Sequence, residues 1–279
     1  MDKKLIEIKG LGVNYGKKRA VKNITLDFKK GETVLIAGRN GAGKSTLLKT
    51  LGQLITPDSG SIDYKGVNKD KVGIITDKMS LFQELNLEEG IRFHSEIFKI
   101  KKFDASILDQ LGINMTTKIS SLSSGERALF HLSLLMSQKP ELLMIDEVFH
   151  LVDPYIRDVF IDSLINLIDE TGTTLIMVNH SFAETGKIPE RVIIMDEGEV
   201  VIDEKREVLL GKVKKISTEM PDKLDLPVFF SRNTPFGSEH FVYPYEEGKT
   251  KSKNYYIEDI GLDEIIKAFL GGRYAKKRI

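Results

Sequence analysis

Residues 38–46 of this 279-residue chain are Gly-Arg-Asn-Gly-Ala-Gly-Lys-Ser-Thr, and this stretch limits the possible folds more than any other. The apolar run 33–37 before it predicts a buried strand, whereas Leu47, Leu48 and Leu51 after it have the spacing of a helix face. The predicted unit is therefore strand, glycine loop and helix. Such a loop turns successive backbone N–H groups and the positive end of a helix dipole towards one point, where a polyphosphate can bind.

The side chains of this loop predict a site for a polyphosphate and Mg²⁺. Lys44 would reach the β- and γ-phosphates, and Ser45 would bind Mg²⁺ through its hydroxyl. An ordinary glycine turn is the alternative, and the flanking strand and helix argue against it. The candidate nucleotide-binding residues of the loop are Gly38, Arg39, Asn40, Gly41, Ala42, Gly43, Lys44, Ser45 and Thr46.

Composition predicts a globular protein of the cytoplasm. The chain is 41% hydrophobic and 29% charged, with 41 basic and 41 acidic residues, so no net charge favours a nucleic-acid partner. No apolar run approaches the roughly 18 residues that span a bilayer, and no secretion signal opens the sequence. Zero cysteines exclude disulfides and cysteine metal sites.

Periodicity predicts a doubly wound α/β core with two additions. Alternating runs at 5–8 and 24–28 indicate an antiparallel β-layer, and helical spacing from about residue 85 to 139 indicates an inserted helical subdomain. Short unalternating runs at 142–145 and 175–178 are typical of parallel strands covered on both faces. We therefore expect a nucleotide-binding core over residues 1–211, with the helical subdomain at about 78–140 and a closing hairpin turn at Glu197-Gly198.

The remaining residues, 212–279, have a different sequence pattern, which predicts a small α+β extension. Prolines separate short aromatic runs, and a final helix has apolar residues at i, i+3, i+4, i+7 and i+8, which are Leu262, Ile265, Ile266, Phe269 and Leu270. A unit this small buries too little surface to be stable alone, so its apolar face needs a neighbour. The core of the same chain, a second copy and a membrane partner all remain open as that neighbour.

Two acids, Asp146 and Glu147, follow the apolar run 142–145, at the end of a strand where α/β sheets bind ligands. Asp146 would join the Mg²⁺ shell, and Glu147 would act as the catalytic base that polarises a water in line with the γ-phosphate. Two solvated acids at a strand end are the commoner case, but the glycine loop makes the catalytic interpretation the better one.

Residues 122–127, Leu-Ser-Ser-Gly-Glu-Arg, form a small hydroxyl-rich turn before the helical run 128–136. Together with the glycine loop and the two acids, this turn resembles the ATP-binding subunits of bacterial ABC transporters, whose signature is Leu-Ser-Gly-Gly-Gln. The resemblance covers roughly residues 1–211. It implies a P-loop NTPase fold of the ABC ATPase type, with a mixed RecA-like sheet, an antiparallel β subdomain and an inserted helical subdomain.

The resemblance also implies roles for residues outside the loop. Tyr15 would stack on adenine, His180 would contact the γ-phosphate during catalysis, and Asp153 would communicate between two subunits. The signature-like turn would bind phosphate in a partner's site through Ser123, Ser124, Gly125 and Glu126. The implied partners are a second nucleotide-binding subunit, identical or homologous, and a membrane-spanning permease on a separate chain. The assembly would lie at the inner face of the cell membrane.

Three departures from the family pattern affect turnover and coupling more than nucleotide binding. Asp77 stands where a Mg²⁺-sensing glutamine is expected, and either it binds the metal or its loop is displaced. Ser124 and Glu126 replace a glycine and a glutamine of the signature. Val148-Phe149 replaces a proline-bearing turn after the acids.

The expected function is ATP hydrolysis that powers a separate permease, with export of a lipid, peptide or drug-like compound favoured over import. The compact helical subdomain and the lack of a recognisable importer regulatory domain carry that preference. One alternative is a soluble ABC ATPase acting on nucleic acid or ribosomes, which would usually have a second cassette or a coiled-coil insertion. The other is a nucleotide-binding scaffold with weak hydrolysis, which Glu147 and His180 argue against.

Overall fold

The computed structural model describes residues 3–76, 82–149, 152–179, 188–218, 225–247 and 255–271. Within these ranges the strands form three sheets, of six, four and three strands. No helix in the same ranges is long and apolar enough to cross a membrane.

The elements are numbered along the chain. The strands are β1 (Lys4–Tyr15), β2 (Lys18–Lys29), β3 (Thr33–Gly38), β4 (Ser59–Tyr64), β5 (Val72–Thr76), β6 (Leu142–Asp146), β7 (Thr174–Val178), β8 (Arg191–Asp196), β9 (Glu199–Lys205), β10 (Lys214–Thr218), β11 (Val228–Thr234), β12 (Gly237–Val242) and β13 (Tyr256–Asp259). The helices are α1 (Lys44–Leu51), α2 (Leu87–Phe98), α3 (Ser106–Gln110), α4 (Ser124–Gln138), α5 (Pro154–Thr171), α6 (Arg206–Lys212) and α7 (Leu262–Gly271).

The six-stranded sheet has the order β5-β6-β7-β3-β8-β9 and confirms the predicted α/β core. Its first five strands are parallel, and β9 returns antiparallel after the predicted turn at Glu197-Gly198. β3, β6 and β7 are buried along their whole length, which is why their sequences are continuous apolar runs. Because these strands are parallel, the glycine loop after β3 and the two acids at the end of β6 lie at one edge.

Different parts of the chain cover the two faces of this sheet. One face packs on α1 and on the antiparallel sheet β2-β1-β4, and the predicted helix face of Leu47, Leu48 and Leu51 is fully buried there. The other face packs on α4, α5, α6 and α7. The edge that carries the glycine loop is therefore held between two separately built layers.

The inserted helices α2, α3 and α4 have a small apolar cluster of their own. It is formed by Leu87, Leu108, Ile119, Leu122, Phe130 and Leu134. α4 also faces the large sheet through Leu129 and Leu132, so it joins the insertion to the core. His131 of α4 is half-buried, and desolvation together with the nearby His94 lowers its pKa to about 4.

The C-terminal residues form the sheet β11-β12-β10-β13, on which α7 packs. In the apolar stripe of α7, Leu270 is partly buried and the other four residues are buried. The Phe269 ring stacks on Phe229 with centroids 4.2 Å apart. These side chains belong to the same continuous core as the six-stranded sheet. The neighbour that the sequence left open is therefore the core of the same chain, and the boundary predicted after Gly211 falls inside α6.

Candidate active site

The glycine loop connects the end of β3 to the start of α1 and is shaped by close backbone contacts. Gly43 has φ of 100°, and a Cβ there would stand 2.2 Å from the Ala20 carbonyl oxygen of β2. A side chain at this position would therefore be both strained and blocked. No side chain caps the N-terminus of α1, and its first turn contains no acidic residue. The positive end of the helix is thus open to an anion.

Lys44 is the first residue of α1, and its side chain is 4% exposed. Its Nζ donates hydrogen bonds to the carbonyl oxygens of Gly38 at 3.0 Å and Arg39 at 3.2 Å. The same nitrogen lies 3.5 Å from Oε1 of Glu147. The ammonium group is thereby held over the loop, where phosphate oxygens would compete with these three oxygens for it.

Ser45 and Asp146 meet at the same edge of the sheet. The Ser45 hydroxyl donates to Oδ1 of Asp146 at 2.8 Å, and Asp146 is buried at the carboxyl end of β6. Hydroxyl and carboxylate oxygens are the hard donors that Mg²⁺ prefers, and Mg²⁺ commonly uses one or two such groups together with phosphate oxygens. The donor set therefore fits the predicted magnesium ion.

Glu147 has a left-handed backbone conformation, with φ of 51°. Such a conformation costs a non-glycine residue about 1–3 kcal/mol, and here the neighbouring strand fixes it. The Glu147 N–H donates to the carbonyl oxygen of Val178, at the end of β7, at 2.9 Å. The carboxylate is thereby directed into the cavity beside Lys44.

That cavity has a volume of about 330 Å³ and gathers most of the predicted nucleotide-binding residues of the glycine loop. It is lined by Tyr15, Lys18, Ala20, Asn40, Gly41, Gly43, Lys44, Ser45, Thr46 and Glu147. Tyr15 is 54% exposed and lies at the end of β1, where its ring is accessible to a ligand. The structure thus brings together the residues predicted for adenine, for phosphate and for catalysis.

Lys18 lies in this cavity but was not predicted from the sequence. It is the cross-strand partner of Tyr15 in the β1–β2 hairpin, and its Nζ lies 3.6 Å from the position of a Cβ built on Gly41. The hairpin turn between Tyr15 and Lys18 was the signal that could have revealed it, because a tight hairpin puts both residues at one end. Lys18 adds a second ammonium group to the phosphate side of the cavity.

The Arg39 side chain binds α7 instead of lining the cavity. Its Nε donates to the carbonyl oxygen of Leu270 in α7 at 2.7 Å, and Nη2 donates to the same oxygen. Gly38, Arg39 and Ala42 do not line the cavity. The contribution of Arg39 to the site is therefore its carbonyl oxygen, which accepts from Lys44.

The signature-like turn is a complete helix cap. Ser123 Oγ accepts from the N–H of Glu126 at 3.2 Å, and the Glu126 carboxylate accepts from the N–H of Ser123 at 2.8 Å. A Cβ on Gly125 would lie 3.0 Å from Ile156, so this glycine permits α4 to approach α5. Ser123, Ser124, Gly125 and Glu126 do not line the cavity beside Lys44 of their own chain.

Asp153 and Phe149 have structural contacts of their own. Oδ1 of Asp153 caps α5 by accepting from the N–H of Ile156 at 3.1 Å. Val148 and Phe149, which replace the expected proline-bearing turn, are buried, and Phe149 packs edge-on against Phe160 at 5.5 Å. Apolar packing therefore fixes the segment after the two acids.

Some predicted positions lie outside the described residues. They are Asp77, the candidate magnesium ligand, and His180, the candidate contact of the γ-phosphate. His150 and Leu151, which precede Asp153 in the segment expected between subunits, also lie outside. The roles of these residues stay predictions.

A larger groove of about 600 Å³ lies along β2, β8 and β9, away from the glycine loop. Arg191 bridges it, with Nη1 3.2 Å from Oε1 of Glu32 and Nε donating to Oδ1 of Asp203 at 2.6 Å. Burial raises the pKa of Glu32, against the opposing effects of the Lys29 N–H and Arg191. The acidic and basic side chains that line this groove neutralise one another. The groove therefore lacks the concentrated positive charge of the Lys44 cavity.

Comparison with known proteins gives a consistent result. A family model described as ABC transporter matches residues 21–150, which include the glycine loop, the signature-like turn and both acids. The linearmycin resistance ATP-binding protein LnrL of Bacillus subtilis is 31% identical over 212 residues, covering 71% of this chain and 68% of LnrL. The methionine import ATP-binding protein MetN of Lactobacillus johnsonii is 25% identical, with 77% and 68% covered. The spermidine/putrescine import ATP-binding protein PotA of Thermotoga maritima is 31% identical over 70% of this chain, which spans 57% of PotA.

Solved structures support the fold. One described as the ATP binding subunit of an ABC transporter has a TM-score of 0.67 at 22% identity, covering 74% of this chain and 91% of that one. A dimeric ATP-binding cassette in a post-hydrolysis state with ADP and Pi has a TM-score of 0.62 at 23% identity, covering 72% and 98%.

Proposed function

This chain belongs to the ATP-hydrolysing, ATP-binding subunits of ABC transporters, and we propose that the cavity beside Lys44 is where it binds and hydrolyses ATP. One observation carries the proposal. The Lys44 ammonium, the Ser45–Asp146 oxygen pair and the Glu147 carboxylate converge at the open N-terminus of α1. These are the three kinds of group that phosphoryl transfer to water requires, namely a phosphate-binding cation, oxygen ligands for Mg²⁺ and a base.

In this mechanism Tyr15 stacks on the base of the nucleotide at the rim of the cavity. Lys44 exchanges its contacts with Gly38 and Arg39 for phosphate oxygens, while the N–H groups of the loop bind the same phosphates. Ser45 and Asp146 would hold Mg²⁺, which would supply positive charge to the phosphate oxygens. Glu147 accepts a proton from the attacking water.

The phosphate-binding role is tested by removing one charge. We expect Lys44→Met to lower the affinity for ADP at least tenfold, because a charge-assisted hydrogen bond to phosphate contributes about 1.5–3 kcal/mol. Lys49→Met is the matched control, since Lys49 lies in the same helix and does not line the cavity. Equal affinity for ADP in wild type and Lys44→Met, measured by titration calorimetry, would contradict nucleotide binding in this cavity.

The subunit acts with a membrane-spanning permease on a separate chain and with a second ATP-binding subunit. It therefore works as a peripheral protein at the inner face of the cell membrane. Whether the second subunit is identical or homologous is decided by isolating the intact complex and weighing its components by native mass spectrometry. A complex with two copies of this chain and a permease supports a homodimer.

The finer part of the proposal is export of a lipid, peptide or drug-like compound. LnrL, named for resistance to linearmycin, supports it, whereas MetN and PotA are named for import. Deletion of the gene should increase sensitivity to linearmycin or to related membrane-active compounds and leave uptake of methionine and spermidine unchanged. Loss of methionine or spermidine uptake, restored by a plasmid copy, would overturn export in favour of import.

A further inference from the structure

The C-terminal helix α7 is connected to the glycine loop through the side chain of Arg39. Arg39, the second residue of the loop, donates through Nε and Nη2 to the carbonyl oxygen of Leu270 in the last turn of α7. The last carbonyl groups of a helix lack partners within it and carry the negative end of its dipole. A guanidinium group, with several donors in one plane, is a strong partner for such a carbonyl.

The same residue also contacts the catalytic machinery. The carbonyl oxygen of Arg39 accepts from Nζ of Lys44 at 3.2 Å, and Nζ lies 3.5 Å from the Glu147 carboxylate. Arg39 thus connects the Leu270 carbonyl to the Lys44 ammonium group, through hydrogen bonds of its side chain and of its own carbonyl oxygen. A shift of α7 would move the Arg39 side chain, and through its backbone the oxygen that holds Lys44.

The far end of this chain of contacts is anchored in the core. Ile265 and Ile266 are fully buried, and Phe269, next to Leu270, stacks on Phe229 at 4.2 Å. A Cβ on Gly271 would stand 3.1 Å from the Phe230 ring, so the last turn of α7 fits closely against β11. The carbonyl that Arg39 binds is therefore fixed by packing and is suited to hold the loop in one position.

We propose that the C-terminal unit, β10–β13 with α7, positions the glycine loop for nucleotide and that Arg39 is the positioning residue. The inference rests on the proposed function of the Lys44 cavity. α7 does not line that cavity, so its effect passes through Arg39. Because linkage is reciprocal, nucleotide binding also stabilises the docked position of α7.

Hydrogen exchange of the full chain, with and without saturating Mg²⁺-ADP, tests this linkage. In the wild type, ADP should slow amide exchange in two places: the loop and α1 at residues 38–51, and the last turns of α7 at residues 265–271. Slower exchange in the loop with unchanged exchange in α7 would overturn the proposal. Unchanged exchange in the loop as well would contradict the proposed function instead, so the two failures are distinguishable.

Variants then test whether Arg39 carries the linkage. Arg39→Met keeps much of the aliphatic stem, and we expect its ADP affinity to fall about 5- to 20-fold, within the usual range of coupling between sites. ADP should still slow exchange in the loop but no longer in α7. Arg39→Lys keeps the charge with one donor group and should recover part of both effects. Arg92→Met, an exposed arginine of α2, should behave as wild type.

Melting temperatures measured without nucleotide separate positioning from stability. If Arg39→Met acted only by loosening the fold, amide exchange would rise throughout the large core and the melting temperature would fall together with the ADP affinity. That result would contradict a positioning role for Arg39. If Arg39→Met binds ADP as tightly as wild type and α7 still responds to ADP, Arg39 does not carry the linkage and the proposal fails.

Discussion

α1 and α4 begin in opposite ways, although both follow short turns of small residues. α1 follows Gly43, has no side-chain cap and has no acid in its first turn. α4 follows Ser123, and Glu126 completes a reciprocal cap with it. An anion can approach the N-terminal N–H groups of the first helix without displacing a capping side chain. At the second it would have to compete with the Glu126 carboxylate, which carries like charge.

This difference shows which turn can bind phosphate within a single chain. Both turns satisfy the sequence pattern of a helix N-terminus, and the pattern alone does not distinguish them. What distinguishes them is whether the third helical residue supplies an acid. The glycine loop has Thr46 at that position, and the signature-like turn has Glu126.

The largest effect is expected when the first turn of α1 is given an acid, which removes its difference from α4. Thr46→Glu places a carboxylate in the first turn of α1, where like charges a few ångströms apart cost several kcal/mol at an effective dielectric constant near 20. We expect ADP affinity to fall about 100-fold, measured by titration calorimetry. Thr46→Gln, of similar size without charge, should bind considerably tighter than Thr46→Glu. Equal affinities of the two variants would mean that charge at this turn does not control binding.

Acid should weaken the helix that begins at the capped turn. Desolvation lowers the pKa of half-buried His131 in α4 to about 4, below the ordinary value of 6.5, so protonation favours the unfolded chain. Its contribution to stability is present at neutral pH and is lost as the pH falls from about 6.5 towards 4. Between pH 7 and pH 5 the titration of His131 should lower the free energy of unfolding by about 2 kcal/mol.

Urea unfolding at both pH values checks this expectation. Many carboxylates also titrate in acid, so the comparison is with His131→Leu, which removes the titrating ring and keeps its bulk. The free energy of unfolding should fall by about 2 kcal/mol more in wild type than in the variant. Parallel losses in the two proteins would assign the acid sensitivity to other groups.

Lys18 lies in the cavity beside the open turn, and its contribution to phosphate binding can be measured separately. Its ammonium group lies in the cavity near Gly41, where it adds a partly screened charge to the phosphate site. Lys18→Met should weaken ADP binding about fivefold, as expected for the loss of about 1 kcal/mol. Lys17→Met changes the neighbouring exposed lysine, which does not line the cavity, and should bind as wild type does. Identical binding by both variants would exclude Lys18 from the site.

The smallest effect is expected at the capped turn. Ser123→Ala removes the side chain that accepts from the Glu126 N–H and should lower the free energy of unfolding by about 1 kcal/mol. The affinity of the isolated subunit for ADP should not change, because the turn does not line the cavity. A loss of ADP affinity without a loss of stability would contradict the assignment of this turn as a cap in the single chain.

The sequence predicted elements whose signals are local. Continuous apolar runs identified the parallel strands, and the order of loop, turn and acids identified the family. The direction of the Arg39 side chain was not predictable, because it depends on α7 more than two hundred positions away. Lys18 was missed because its place in the cavity follows from the pairing of two strands. The stripe of α7 predicted a buried face, but only tertiary packing identified its neighbour.

The central claim is that the Lys44 cavity hydrolyses ATP with Glu147 as the base, and the steady-state hydrolysis rate of Glu147→Gln tests it most directly. The amide keeps the size of the side chain but does not accept the proton, so we expect the rate to fall about 10²–10⁴-fold. The affinity for ATP should stay near that of wild type, because the phosphate contacts of Lys44 and the loop are retained. A variant that hydrolyses ATP at the wild-type rate would contradict the account.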